Sequence, residues 1–497
     1  MSVRESATTT AVTRPEDERL SVGSNLLYGL QHILSMFGGV IAVPTIIGGA
    51  AGLDATQKAL LIASALFISG LATILQTVGV PYLGAQLPVV QGISFASVAT
   101  LVAIIGKDGK AGLLSAFGAT LVAGVVAIII VPFFARVIRF FPPVVTGTVI
   151  TVIGLSLTPS GAGWITGNKL INGQANPNYA NPNAIILAVI TLVIILAASM
   201  IKRIARMAIL IGLALGWIIA IPFGLAPAPK LAGTSIVGFP TPFGLGMPTF
   251  NIAAIISMLI VLIVIMVETT ADILAIGVVV GTEIDSKRLA AGLRSDMLSC
   301  IVAPVFNTFP ATAFAQNVGL VALSGIKSRW VVATGGAILT VLGLSPWLSA
   351  CISALPLPVL GGAGIVLFGS VTASGIRSLS KVNFDGNNNL LIVAASITFG
   401  LFPKFVSDFW SRFPDGVRVV LDSPISMAAI LAFAVALFNL NAYESGVATL
   451  RSEGDAAWSS DTMLALASKD ADGLSGSVQA YAFESARAPE QADLAAL

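Results

Sequence analysis

Two carboxylates, Glu268 and Asp272, lie four residues apart in the apolar stretch IMVETTADILAIG. On a helix that spacing places both on one face. An ionisable carboxylate at membrane depth is costly and marks function by default. Two of them one turn apart repel each other, so one is positioned to take up and release a proton. The alternative is a pair bridged to buried basic residues, but few Lys or Arg occur inside any apolar run. His32, beside Gln31, is the single histidine of the chain. An unperturbed imidazole titrates at about pH 6.5 and suits a proton relay, yet a lone histidine on an apolar face is also a common hydrogen-bonded packing residue. Both readings stay open.

Two further segments carry a polar amide where none is expected, LPVVQGISFASV around Gln91 and FPATAFAQNVGLVAL around Gln316. Each has an early proline and a glycine, and each is too short to span a bilayer. Such backbone is tolerated at membrane depth only where it lines a cavity or is buried in protein. Matched interrupted segments in two halves of a chain point to a binding site near the midplane, against the alternative of two kinked structural helices. One His and two distant cysteines cannot build a metal site, and Cys300 and Cys351 read as small buried hydrophobes. There is no HExxH, no Walker-type phosphate loop and no Gly-x-Ser-x-Gly elbow. Neither enzyme chemistry nor ATP-driven pumping has visible machinery.

Apolar elements must hold these groups. The 497 residues are 56% hydrophobic and 10% charged, where a soluble domain carries about 25% charge, and mean hydropathy is +0.94. Apolar runs near the roughly 20 residues that span a bilayer recur along the chain. The reading is an all-α polytopic membrane protein. Spans fall at roughly 24–50, 57–79, 86–106, 112–134, 143–158, 184–201, 207–224, 251–278, 295–311, 313–325, 330–350, 359–376, 389–404 and 424–441. Basic residues at Arg136 and Arg139, Lys202, Arg203 and Arg206, Lys287, Arg288 and Arg294, Lys327 and Arg329, and Arg377 and Lys381 fall in alternate loops. The positive-inside rule places those loops and both termini in the cytoplasm, whereas a net charge of +2 says nothing of partners. The loop over 404–418 is a conflict, its basic residues being offset by Asp408, Asp415 and Asp422. Residues 1–22 form a polar cytoplasmic segment without the apolar core of a cleavable signal. Residues 23–442 form the membrane domain, and 443–497 an Ala/Ser/Asp/Glu-rich tail that reads as cytoplasmic and disordered.

A repeat is visible. FPPVVTGTVITVIGLSL from Phe141 and PLPVLGGAGIVLFGSV from Pro356 open in the same way, and the Gln91 and Gln316 segments stand at a similar offset. Seven spans per half, an odd number, orient the halves oppositely: an inverted repeat.

At these residues the chain resembles the nucleobase–ascorbate transporter family, also called nucleobase–cation symporter family 2, over roughly residues 20–445. The signature of that family reads here as Gln316, Asn317, Val318, Gly319, Leu320–Leu323, Ser324 and Gly325, with Ser324 in place of Thr. Further likeness lies in Gln31–His32, LPVVQGISFA, VETTADILA and GLRSDM; Ala271 and Met297 depart from the glycines usual at their positions.

The resemblance implies fourteen transmembrane segments in two seven-span inverted repeats. Spans 1–4 and 8–11 would form a core and spans 5–7 and 12–14 a gate, with short extended stretches in spans 3 and 10. It also implies a homodimer in the bilayer with an elevator-type motion. Glu268 would accept hydrogen bonds from adjacent ring N–H groups, Gln316 would donate and accept along a purine edge, and backbone N–H groups at Phe95 and Ala315 would bind exocyclic oxygens. The Phe95 ring would cover the base, and Ser94 would leave room for an extra oxygen. Asp272, Asn317, His32 and Asp296 would support the site or relay protons. The solute would be an oxidised purine, urate or xanthine, with no cofactor and no nucleic acid partner. Coupling would be to H+, with Na+ as the alternative. A uracil or other nucleobase symporter, an anion exchanger of the same fold and a channel are the competing readings.

Overall fold

The computed structural model describes residues 14–137, 143–167, 169–171, 174–202, 204–229, 231, 233–384, 388–406 and 408–436; the expected tail over 443–497 lies outside them. It is built of helices: α1 (Val22–Ala50), α2 (Ala55–Val78), α3 (Val98–Ile105), α4 (Lys110–Val137), α5 (Pro143–Thr166), α6 (Pro182–Met200), α7 (Ala208–Ala220), α8 (Ile252–Val280) and α9 (Ser286–Val302). After them come α10 (Ala315–Ser324), α11 (Arg329–Gly343), α12 (Pro346–Ser353), α13 (Leu357–Leu379), α14 (Asn389–Phe405), α15 (Asp415–Leu421) and α16 (Pro424–Ala436). Among the described residues, eight helices are long and apolar enough to cross a membrane, and α11 with α12 adds a ninth as a bent pair. Their outward residues, such as Val125, Ile129, Ile185, Val189 and Val193, are exposed hydrophobes, which suits lipid rather than water.

Local chemistry explains several ends. Asp54 and Gln57 form a reciprocal capping box at the start of α2, and Asn251 and Asp285 accept from the first-turn N–H groups of α8 and α9. Each satisfies a donor that the helix itself leaves unpaired.

Two expectations change here. The single span expected over 330–350 is two helices bent by 83°, because Ser345 caps a new helix that Pro346 opens. The span expected to begin at 295 begins at Ser286 behind its Asp285 cap. Its far end runs through a 3-10 turn, Ala303–Phe306, into extended backbone.

The interrupted segments are extended stretches followed by short helices. β1 (Gln91–Ile93) precedes a 3-10 turn at Phe95–Ser97 and α3, and β4 (Ala311–Ala313) precedes α10. The other two strands, β2 (Leu170–Ile171) and β3 (Gln174–Ala175), pair with each other in the loop after α5. β1 and β4 pair antiparallel in the register Gln91↔Ala313, Gly92↔Thr312, Ile93↔Ala311. The pairing satisfies backbone that no helix serves.

Helix packing follows an exchange of the two halves. α2 lies on α11 as α9 lies on α4, and α1 lies on α11 as α8 lies on α4. α5 packs along α13, with α6 on α13 matched by α14 on α5. Small residues permit the close approaches: a Cβ on Gly70 would strike the α11 backbone, and one on Gly154 would strike Thr372 of α13.

The N-terminal segment is anchored. A 3-10 turn at Pro15–Asp17 buries Glu16, which accepts from Arg288 at 2.5 Å, while Asp17 accepts from Arg329 at 2.6 Å. Arg288 also donates to the carbonyls of Ala85 and Gln86, and Arg329 to those of Thr77 and Val78. The two arginines expected to mark cytoplasmic loops therefore tie the loop before β1 to α9, α11 and the N-terminal turn.

Candidate binding site

Glu268 and Asp272 lie one turn apart on α8, which packs against β4. Glu268 Oε2 and Asp272 Oδ2 are buried without a hydrogen-bond partner among the described residues. Asp296 of α9 lies within coulombic range of both, and the ion pairs found, Arg288–Glu16, Arg329–Asp17 and Arg418–Asp422, involve none of the three. A buried carboxylate oxygen without a donor is costly, so the arrangement is built to receive donors or protons.

Asp296 itself is held. Its Oδ2 accepts from Thr269 Oγ1 at 2.5 Å and its Oδ1 from Gln76 Nε2 at 3.3 Å. Thr269 Oγ1 also lies 3.1 Å from Thr312 Oγ1, so one hydroxyl joins α8, α9 and β4. Gln76 Oε1 accepts from the Ala85 N–H, and Thr73 Oγ1 accepts from the Gln91 N–H at 2.9 Å. The side chains of α2 thus fix the path of the chain into β1.

The signature motif divides by face. Gln316 and Gly319 lie on the exposed side of α10, whereas Asn317 is buried at 1% exposure. Asn317 Nδ2 donates to the Pro88 carbonyl at 2.5 Å, which leaves its Oδ1 as an acceptor 2.8 Å from His32 Nδ1. The histidine therefore carries its proton on Nδ1 and donates it to Asn317. The end of the motif is a helix stop: Gly325 has φ +69°, and Ser324 Oγ accepts from the Ile326 N–H.

α10 begins at Ala315 without a side-chain cap, leaving first-turn N–H groups for another acceptor. The corresponding turn at Phe95 is capped instead. Ser94 is fully buried, and its Oγ accepts from the Ala96 N–H at 3.2 Å. The Phe95 ring packs near-parallel to Phe314, with centroids 6.2 Å apart, and edge-on to Phe368 at 6.1 Å. Phe368 in turn meets Trp164. A crevice reaches Glu268 between α5 and α8, lined by Val145, Thr146, Val149, Ile150, Val264 and Val267.

Glu268, Asp272, Asp296, Ser94, Phe95, Ala315, Asn317 and His32 thus collect around the β1–β4 pair, with Gln316 on the open face of α10. Sequence reasoning missed Thr269, Gln76, Thr312, Phe314, Phe368 and Trp164. Thr269 and Phe314 adjoin residues already singled out, and their polarity or bulk beside an interrupted segment was the available signal. Phe368 and Trp164 carried none, because their distance from the site vanishes only in the packed fold.

The model of the Permease family matches residues 23–409. The uric acid transporter UacT of Escherichia coli (strain K12) is 38% identical over 438 residues, which is 87% of this chain and 89% of that protein. The uric acid permease PucJ of Bacillus subtilis (strain 168) is 38% identical over 411 residues, covering 82% and 91%. The xanthine permease of the same organism is 36% identical over 416 residues, covering 83% and 93%. Among solved structures, the transmembrane domain of a cyanobacterium bicarbonate transporter, BicA, superposes with a TM-score of 0.57 at 20% identity, covering 82% of this chain and 97% of that one. SLC26A9 superposes at 0.56 and 14% identity, covering 85% and 66%. These two share the fold.

Proposed function

The chain belongs to the permease family that holds the nucleobase–ascorbate transporters, and on that footing we propose that it is a multi-pass secondary active transporter that takes up an oxidised purine, urate or xanthine, together with a proton. The observation that carries the proposal is the buried, unpartnered Oε2 of Glu268, a residue that borders an apolar crevice. A carboxylate there accepts from two adjacent ring N–H groups of a purine. Gln316 then reads the alternating edge of the ring, the free N–H groups at the start of α10 meet an exocyclic oxygen, and Phe95 covers one face. Asp272, one helical turn from Glu268, and Asp296 of α9 are the acidic groups that would exchange a proton with the loaded site.

The pairwise exchange of helix contacts supports two inverted repeats of seven spans. In this reading spans 1–4 and 8–11, with the β1–β4 pair, form a core that moves against a gate of spans 5–7 and 12–14, with both termini cytoplasmic and two copies in the bilayer. An anion exchanger is the competing reading, because the solved neighbours include a bicarbonate transporter. Glu268 speaks against it, since a buried carboxylate repels an anionic solute that offers no N–H donor.

The test is uptake of radiolabelled urate by cells lacking purine permeases, with unlabelled xanthine and uracil as competitors, with and without a protonophore. Uptake blocked by urate and xanthine, spared by uracil and abolished by the protonophore is the expected result. A protein that reaches the membrane and takes up no purine sinks the proposal.

A further inference from the structure

The surroundings of the two ends of α5 differ. Beside the first turns of α5 the crevice is lined by Val145, Thr146, Val149 and Ile150. Toward the other end of α5, Phe368 packs against both Trp164 and Phe95. At that end α15 lies across α3 and α8. Thr100 Oγ1 of α3 and Ser423 Oγ stand 2.6 Å apart, and Ser257 Oγ of α8 donates to the Val419 carbonyl at 3.2 Å. Thr100, Ser257 and Ser423 are all fully buried.

Ser423 also caps α16, its Oγ accepting from the Ser426 N–H at 3.2 Å. α16 belongs to the other packing group: Ala432 and Ala436 cluster with Val144, Val145, Leu379 and Ile392 of α5, α13 and α14. The Thr100–Ser423 bond therefore joins the short helix that follows Phe95 to the group of helices facing it. Ser257 lies 11 residues before Glu268, about 16 Å along α8, on the side remote from the crevice.

We propose that the Thr100–Ser423 hydroxyl pair is the latch of the outer gate, holding the solute path shut on the outer face while Glu268 faces the cytoplasm. The inference rests on the alternating-access reading above. Separating the pair removes this partner from both buried hydroxyls, Ser423 Oγ keeping only the Ser426 N–H, and entering water replaces what is lost, so the latch opens together with hydration of the outer path. The Ser257–Val419 contact flanks the latch and sets the position of α15 on α8.

The test begins from a chain with Cys300→Ala and Cys351→Ala, to which Thr100→Cys and Ser423→Cys are added. Copper–phenanthroline should cross-link the two new thiols in membranes, and purine uptake should fall at least tenfold and return on reduction. Failure to cross-link, or unchanged uptake by cross-linked protein, overturns the latch. A solute-independent readout uses Ser94→Cys in the cysteine-free chain, labelled on intact cells by a membrane-impermeant maleimide. Adding Thr100→Ala should raise that labelling about fivefold, the shift that one lost hydrogen bond supports; unchanged labelling overturns the latch. If labelling rises while no purine is taken up before cross-linking, the purine reading fails and the latch stands.

Discussion

His32 Nδ1 stands 2.8 Å from Asn317 Oδ1, and the same amide donates to the Pro88 carbonyl. One side chain thereby ties the first helix, the start of α10 and the approach to β1. His32→Ala leaves Asn317 Oδ1 buried without this donor, at a cost of about 1–3 kcal/mol. The expected outcome is a lower unfolding temperature in detergent and a raised KM for purine uptake. An unchanged melting curve and KM would show that the bond does not organise the site.

In the proposed site Glu268 is the charged acceptor, so Glu268→Gln should cost more than loss of a neutral bond. The expected loss is about 1.5–3 kcal/mol of solute binding, or roughly ten- to a hundredfold. Binding of labelled urate to purified protein measures it. Glu268→Asp, which keeps the charge, should retain part of the affinity; equal loss in both would remove the charge from the argument.

Thr269 Oγ1 donates to Asp296 at 2.5 Å. Thr269→Val keeps the shape and removes the donor, leaving Asp296 Oδ2 unpartnered, whereas Thr269→Ser keeps the hydroxyl. Uptake should fall at least tenfold in the first and remain within about threefold in the second. Equal activities would make the threonine a packing residue.

Gly92 sits on β1 directly against the Phe314 ring, where a Cβ would overlap ring carbons. Gly92→Ala should displace the ring at a cost of about 1–3 kcal/mol and lower uptake. Adding Phe314→Leu should recover part of it, and uptake assays on the three variants decide the point.

Glu16 is buried against Arg288, but that arginine keeps the Ala85 and Gln86 carbonyls as acceptors. Glu16→Gln should therefore lower thermal stability by only about 1 kcal/mol and leave KM for purine unchanged. A shifted KM would mean that the N-terminal turn acts on the site and not only on the loops it ties.

The class of the protein was legible in its composition, because 10% charge over 497 residues cannot cover a water-facing surface. The two interrupted segments were legible as well, since each gathers a proline, a glycine and an amide in a run too short to span a bilayer as a helix. Glu268 and Asp272 stood out for a local reason, helical spacing within an apolar run. Composition and period along the chain carry such signals.

Tertiary structure alone decided the rest. That Gln91 pairs with Ala313, that Gln316 is open while its neighbour Asn317 is buried, and that Phe368 bridges Phe95 and Trp164 depend on contacts between distant stretches of chain. So does the docking of Glu16 on Arg288. The sequence by itself determined that the chain crosses a membrane several times and that the polar groups within its apolar runs must find partners there. Which partner each group finds is set by packing, because a buried donor or acceptor takes whatever the fold brings within about 3 Å.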